Sequence, residues 1–264
     1  MPLLIGTSGW QYRDWRGTFY PAGVPVSRWL EHYAGQFPTV ENNGTFYRLP
    51  TTATVADWAA RTPGGFVMAV KASRYLTHIR RLRDPAEPVA RLLAVAVGLG
   101  DRLGPVLLQL PPTMQAAPSL LDQCLHEFGA QHARLAATGG QQLRVCVELR
   151  HQSWETEEIR AILERNNAAL CWSDRLGRSQ GPLWRTADWG YLRLHEGAAQ
   201  PWPRYGPQSL RSWLARIAAE FPRSADYYVY FNNDQHAAAP ADAAALEAAA
   251  NRSGWPVARA PSYR

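Results

Sequence analysis

Several apolar, β-branched runs in this sequence end in a polar residue able to do chemistry: Glu41, Lys71, Gln109, Glu148, Asp174, His195 and the Asn232-Asn233-Asp234 cluster. Neighbouring charge and burial separate two carboxylate pKa values by units, so Glu41 and Glu148 are the candidate acid and base. Lys71 and Arg193 would hold negative charge, with Gln109, Asn43 and Asn232 orienting a ligand. A Schiff base on Lys71 is a variant, because a lysine among cations and apolar walls has a depressed pKa. The structural alternative is a buried ion-pair network that plugs the fold. Two unit charges about 4 Å apart interact by roughly 4 kcal/mol at an effective dielectric of 20, so bare carboxylates need Lys71 or Arg193 beside them in either case.

Glu148-Leu149-Arg150-His151 adds a glutamate and a histidine three residues apart, which suits a metal or an acid–base pair. A metal site from Glu148, His151, Asp174 and His195 is therefore one alternative. The expectation is nonetheless no metal and no cofactor, since the sequence lacks HExxH, GxxxxGK[ST] and GxGxxG. The stretch Thr7–Gly17 mixes tryptophan, tyrosine and arginine, and Arg74–Arg83 mixes tyrosine, histidine and arginine. They suit a base or sugar ring carrying phosphate, or else Trp10 and Trp15 cap the fold and the arginines form a solvated face. The net charge of +6 comes from arginine far more than lysine, which favours planar contact with anions. A small polar or anionic ligand is the expected partner, and nucleic acid is the second choice.

These residues need elements to position them. Eight strand-length runs occur in order: Leu3–Gly6, Thr39–Asn42, Phe66–Lys71, Val106–Leu110, Arg144–Glu148, Ala169–Trp172, Gly190–His195 and Tyr227–Asn232. Helical spacing fills most gaps, as in Arg28–Phe37, Val89–Leu99, Leu120–Phe128, Glu157–Asn166 and Leu210–Phe221. Such alternation requires right-handed parallel crossovers, and eight units without a phosphate loop favour a closed barrel over an open sheet. The fold class is thus α/β, one TIM-type (β/α)8 barrel over residues 1–264. Arg175–Trp189 lacks a helical period, so the barrel should be irregular after the sixth strand.

Side chains alternate along a strand. If Glu148 faces the barrel axis, Cys146 does too; Arg193 and His195 point inward together, as do Tyr228, Tyr230, Asn232 and Asp234. The polar set then lies at the C-terminal strand ends, where barrels of this type build their sites. The 46% hydrophobic content supports a large core. Cys124, Cys146 and Cys171 are odd in number and lack a CxxC pair, which indicates free thiols in a reducing compartment. No run approaches a membrane span and no leader pattern precedes the first strand, so a cytoplasmic protein without membrane contact is expected.

Taken together, Gly6-Thr7-Ser8-Gly9-Trp10, Val40-Glu41-Asn42-Asn43-Gly44-Thr45-Phe46-Tyr47, Val70-Lys71-Ala72, Thr77-His78, Gln109-Leu110-Pro111-Pro112, Val147-Glu148-Leu149-Arg150-His151 with Ser153-Trp154, and Tyr230-Phe231-Asn232-Asn233-Asp234 resemble the motifs of the YecE-like family, a domain of unknown function, number 72 in its series. The resemblance implies a triosephosphate-isomerase-type barrel and supplies no reaction. It adds Thr45, Tyr47, His78 and Arg150 to the residues expected around the site and includes Asn43 and His151. Asn42 departs from the family's aliphatic preference and, facing the helix layer, should need a hydrogen-bond partner there. The leading expectation is a metal-independent enzyme acting on a small polar or phosphorylated compound at the barrel mouth, with Glu41, Lys71 and Glu148 catalytic.

Overall fold

Short β-branched runs that are apolar on both faces are stable only when helices cover one face and the opposite face turns inward on itself. The computed structural model of the chain, which describes residues 3–136 and 143–260, has that arrangement. Its strands are β1 (Leu3–Ser8), β2 (Thr39–Asn42), β3 (Val67–Lys71), β4 (Leu103–Gln109), β5 (Val145–Glu148), β6 (Ala169–Arg175), the two-residue β7 (Arg178–Ser179), β8 (Gly190–Leu194) and β9 (Tyr227–Phe231). All but β7 run parallel, in the order β1 to β6, then β8 and β9, and β9 pairs with β1 to close an eight-stranded barrel. Helices α1 (Trp29–Ala34), α2 (Gly44–Tyr47), α3 (Thr52–Ala60), α4 (Ala86–Ala96), α5 (Pro118–Ala136), α6 (Glu157–Arg165), α7 (Pro207–Glu220) and α8 (Ala238–Arg252) alternate with the strands.

Alternation along the strands divides the core in two. Val40, Val70, Val106, Val147, Leu192 and Val229 belong to the large layer between strands and helices. Leu4, Ala69, Leu107, Cys146, Cys171, Tyr191, Tyr228 and Tyr230 fill the barrel interior. Asn42 is buried on the helix side, where its Oδ1 accepts from Gly44 N at 2.9 Å and its Nδ2 approaches Met68 Sδ at 3.6 Å. The sequence demanded such partners. The three cysteines are free and buried.

Two features shape the mouth. After β6 the chain turns back through Leu176 and Gly177, both at positive φ (54° and 77°), as a two-residue primed hairpin requires, and β7 pairs antiparallel with β6. No helix follows before β8, which is the irregularity expected there. The loop after β1 packs down instead of standing open: Trp10 and Trp15 are buried, and Trp15 Nε1 donates to the carbonyl of Asp234 at 2.7 Å. These indoles cap the barrel and offer no free face for a base. Among the described residues no helix is long and apolar enough to cross a membrane.

Barrel closure depends on close approach at Gly6. A Cβ built there would lie 2.1 Å from the Thr39 carbonyl oxygen, which belongs to the neighbouring strand and cannot step aside. Gly6→Ala should destabilise the fold by about 1–3 kcal/mol. Gly23→Ala, with open space around it, should be near neutral. Urea unfolding of the two variants checks the contrast.

Candidate active site

Parity on β8 places Tyr191, Arg193 and His195 on the barrel axis, one above the other, and the rest of the site is built around that column. Arg193 Nη2 donates to Glu41 Oε1 of β2 at 2.8 Å, and its Nη1 to Glu148 Oε2 of β5 at 2.6 Å. The second Glu41 oxygen accepts from Tyr191 OH at 2.6 Å. Gln109 Nε2 donates to Glu148 Oε2 at 2.9 Å, and Lys71 Nζ donates to Gln109 Oε1 at 2.8 Å while lying 4.2 Å from the centre of the Phe46 ring. Glu148 Oε1 receives Arg150 Nε at 3.0 Å and His195 Nε2 at 3.2 Å. Asn232 Nδ2 lies 3.0 Å from His195 Nδ1; with the amide donating there, Nε2 is the nitrogen that donates to Glu148.

Burial of this depth raises a carboxylate pKa, yet here opposing charge wins. The Arg193 guanidinium and the Tyr191 hydroxyl hold Glu41 below the usual carboxylate range. Arg193, His195 and Arg150 hold Glu148 well below it. The two carboxylates in turn keep Arg193 firmly protonated. Lys71 moves the other way: burial, then repulsion from Arg193, lowers it to about 8, against the pull of Glu41 and Glu148. It is the sole lysine of the 264-residue chain. With Arg193, Arg150 and Lys71 facing two carboxylates, the cluster carries one surplus positive charge while Lys71 is protonated.

The cluster has a sealed floor and an open rim. Glu41 is 0% exposed and Arg193 1%. Above them Glu148, Arg150, His151, Ser173, Arg175 and His195 border a cleft of about 340 Å³. It opens because β5 and β6 pair only through Cys146–Ala169 and Val147–Leu170, and then diverge. A second hollow of about 460 Å³ adjoins it across His195 and Arg175 and reaches Asn232, Asn233 and Asp234.

The structure thus gathers Glu41, Lys71, Gln109, Glu148, Arg150, Arg193, His195 and Asn232 into one network. His151 borders the cleft with Nδ1 turned to Ser153 Oγ at 2.8 Å. His78 flanks Phe46 edge-on, and burial with the nearby Lys71 and Arg74 charges lowers its pKa. Asn43 opens α2, and Tyr47 is 81% exposed; neither is among the residues bordering the two hollows.

Asp174 is the correction. On β6 it is Ser173 that borders the cleft, so Asp174 turns to the helix layer, where it accepts from Tyr205 OH at 2.7 Å and Trp213 Nε1 at 3.1 Å. Burial outweighs those bonds and raises its pKa. The alternative metal set of Glu148, His151, Asp174 and His195 therefore does not assemble, and among the described residues no three His, Cys, Asp or Glu side chains converge to hold a metal. Tyr191 escaped the sequence analysis, although the parity that selected Arg193 also selects it. Ser173, Arg175 and Gln180 were missed because the cleft they line comes from strand divergence.

Two outcomes follow from the electrostatics. Arg193→Met leaves two buried carboxylates without their cation and should cost about 3–5 kcal/mol at pH 7, with much of the loss recovered in a Glu41→Gln, Arg193→Met, Glu148→Gln triple variant. Both carboxylates have lowered folded-state pKa values, so wild-type stability from the bridge is full above the ordinary carboxylate range and falls as pH drops through the depressed values. Chemical unfolding against pH reads both. Separately, protein carrying 15N-labelled lysine should show one side-chain Nζ signal, titrating near 8; an unshifted value near that of free lysine would contradict the burial described here.

A family model described as "Protein of unknown function DUF72" matches residues 4–263. The UPF0759 protein YunF of Bacillus subtilis strain 168 is 23% identical over 88% of this chain and 89% of its own length. A DUF72 family protein from Thermotoga maritima MSB8 superposes with a TM-score of 0.76 at 24% identity, over 95% of this chain and 100% of that one. A DUF72 family protein from Enterococcus faecalis V583 gives 0.75 at 18% identity, over 99% and 97%. SacUVDE, 7% identical with a TM-score of 0.55 over 97% of this chain and 99% of its own, shares the barrel architecture alone. With its YecE-like motifs, its barrel and a family match over nearly its whole length, the chain belongs to the DUF72 family.

Proposed function

We propose that this protein is an enzyme that transfers protons on a small phosphorylated compound bound in the cleft beside Glu148. The observation that carries the proposal is the position of His195, fixed between Glu148 Oε1 and the Asn232 amide at the edge of both hollows. A carboxylate on Nε2–H orients the ring and raises the basicity of the opposite nitrogen. Nδ1 is then the base, and a substrate hydroxyl or acidic C–H would take the place of the Asn232 amide. Arg150 and Arg175 supply guanidinium groups for an anionic end, and a cleft of about 340 Å³ suits a ligand of modest size. Of the two glutamates, Glu148 is the one at the rim; Glu41, with both oxygens engaged, anchors Arg193. Lys71 acts through Gln109, keeping its amide turned toward Glu148.

The test is a turnover screen of small phosphorylated compounds by 31P and 1H NMR. For a compound that is converted, His195→Gln should lower kcat by about 10²–10⁴-fold with KM little changed, and Arg150→Gln should raise KM. An undiminished kcat in His195→Gln removes the proposed base. Absence of turnover, with inorganic phosphate also leaving the Lys71 Nζ signal unmoved, removes the anion site.

A further inference from the structure

The two hollows that meet at His195 and Arg175 differ in what else borders them. The cleft beside Glu148 presents donors in Arg150 and Arg175. The hollow beyond it shares Arg175 and His195, and away from them Glu196, Asn232, Asn233 and Asp234 border it with oxygen acceptors. Asn233 is the informative residue. It is 2% exposed, and both its amide protons are taken, by the Pro203 carbonyl at 2.8 Å and Asp242 Oδ2 at 2.8 Å. Both partners can only accept, so the amide cannot be flipped, and Oδ1 is left buried with no hydrogen-bond donor. A buried acceptor without a donor is costly, and a ligand that supplies the donor recovers that cost. Asn232 has spent its Nδ2 on His195, leaving its carbonyl oxygen. Asp234 forms no ion pair among the described residues, and its carboxyl is pushed up by burial and by Asp14.

We propose that this second hollow is a subsite for the vicinal hydroxyls of a polyhydroxylated chain or ring, so that the ligand is a polyol or sugar phosphate lying across His195 with its phosphate at Arg150. This rests on the anionic end occupying the first cleft, as proposed above. Hydroxyl donors fit better than an ammonium group, because Glu196 is already neutralised by Arg175 at 3.0 Å and two of the acceptors are neutral amides. His195 Nδ1 then faces the junction between the phosphate-bearing carbon and the hydroxylated portion.

Calorimetric titration of the intact protein tests this with four probes: inorganic phosphate, n-butyl phosphate, 2-aminoethyl phosphate and ribose 5-phosphate. Two added hydrogen bonds should make ribose 5-phosphate bind about tenfold tighter than n-butyl phosphate. Asp234→Ala should abolish most of that gain while leaving inorganic phosphate unaffected. Asn233→Ala should do the same; because Asn233 also holds Asp242, its melting temperature is measured alongside, and the Asp234 variant decides if it fails to fold. Equal affinity for the butyl and ribose phosphates, a gain that survives Asp234→Ala, or tighter binding of 2-aminoethyl phosphate would each overturn the polyol subsite. If inorganic phosphate and n-butyl phosphate bind but ribose brings no gain, the subsite alone is lost. If no phosphate binds, the anion site fails and the subsite falls with it.

Discussion

Arg193 divides one guanidinium between two carboxylates from opposite sides of the barrel, and all three groups are out of water. Moving any of these ions alone into a protein interior would cost several kcal/mol even after relaxation. The cost is offset only because the planar fork of arginine reaches Glu41 and Glu148 together, while Tyr191 and Gln109 bind oxygens that the guanidinium does not saturate. That geometry fixes β2, β5 and β8 relative to one another at the level where the barrel interior changes from apolar to polar. Leu107, Cys146, Tyr191 and Tyr230 lie in the apolar filling. Lys71, Gln109, Arg150 and His195 complete the polar layer that the bridge orients.

A bridge of this kind would let one network serve both as a plug and as the site proposed here. The expectation drawn from the sequence left these as rivals, yet they occupy different depths. Glu41 and Arg193 seal the axis. Glu148 is shared: one oxygen is committed to Arg193 and Gln109, the other to Arg150 and His195 at the cleft. Ionisation of Glu148 is therefore secured from below, while its contacts with Arg150 and His195 lie above. The missing helix after β6 and the divergence of β5 from β6 leave room there for a ligand.

Much of this was legible in the sequence. All eight barrel strands fall within a few residues of the apolar runs, because β-branched segments bounded by loops leave little choice of register. Parity put Arg193 beside His195 and Glu148 beside Cys146. On β6 the strand runs on past Trp172 to Arg175, and the alternation that turns Ser173 to the cleft turns Asp174 to the helix layer, against the expectation from sequence. Tyr191 lay within reach of the same rule but reads as an ordinary strand aromatic. The loop tryptophans could not be resolved from sequence, since burial of Trp10 and Trp15 depends on the distant Asp234 carbonyl and on Tyr20, whose hydroxyl donates to the Trp10 carbonyl. Asp242, fully buried in the alanine-rich α8 and holding Arg204, Tyr205 N and Asn233, gave no local signal beyond being one of two acids among alanines.

The most direct measurement is a crystal structure of the protein soaked with inorganic phosphate. The account predicts an anion in the cleft against Arg150, within reach of His195, with the contacts among Glu41, Arg193 and Glu148 unchanged beneath it. A cleft without an anion at saturating phosphate, or a bridge that opens to admit one between Arg193 and Glu41, would contradict the division into sealed floor and open rim.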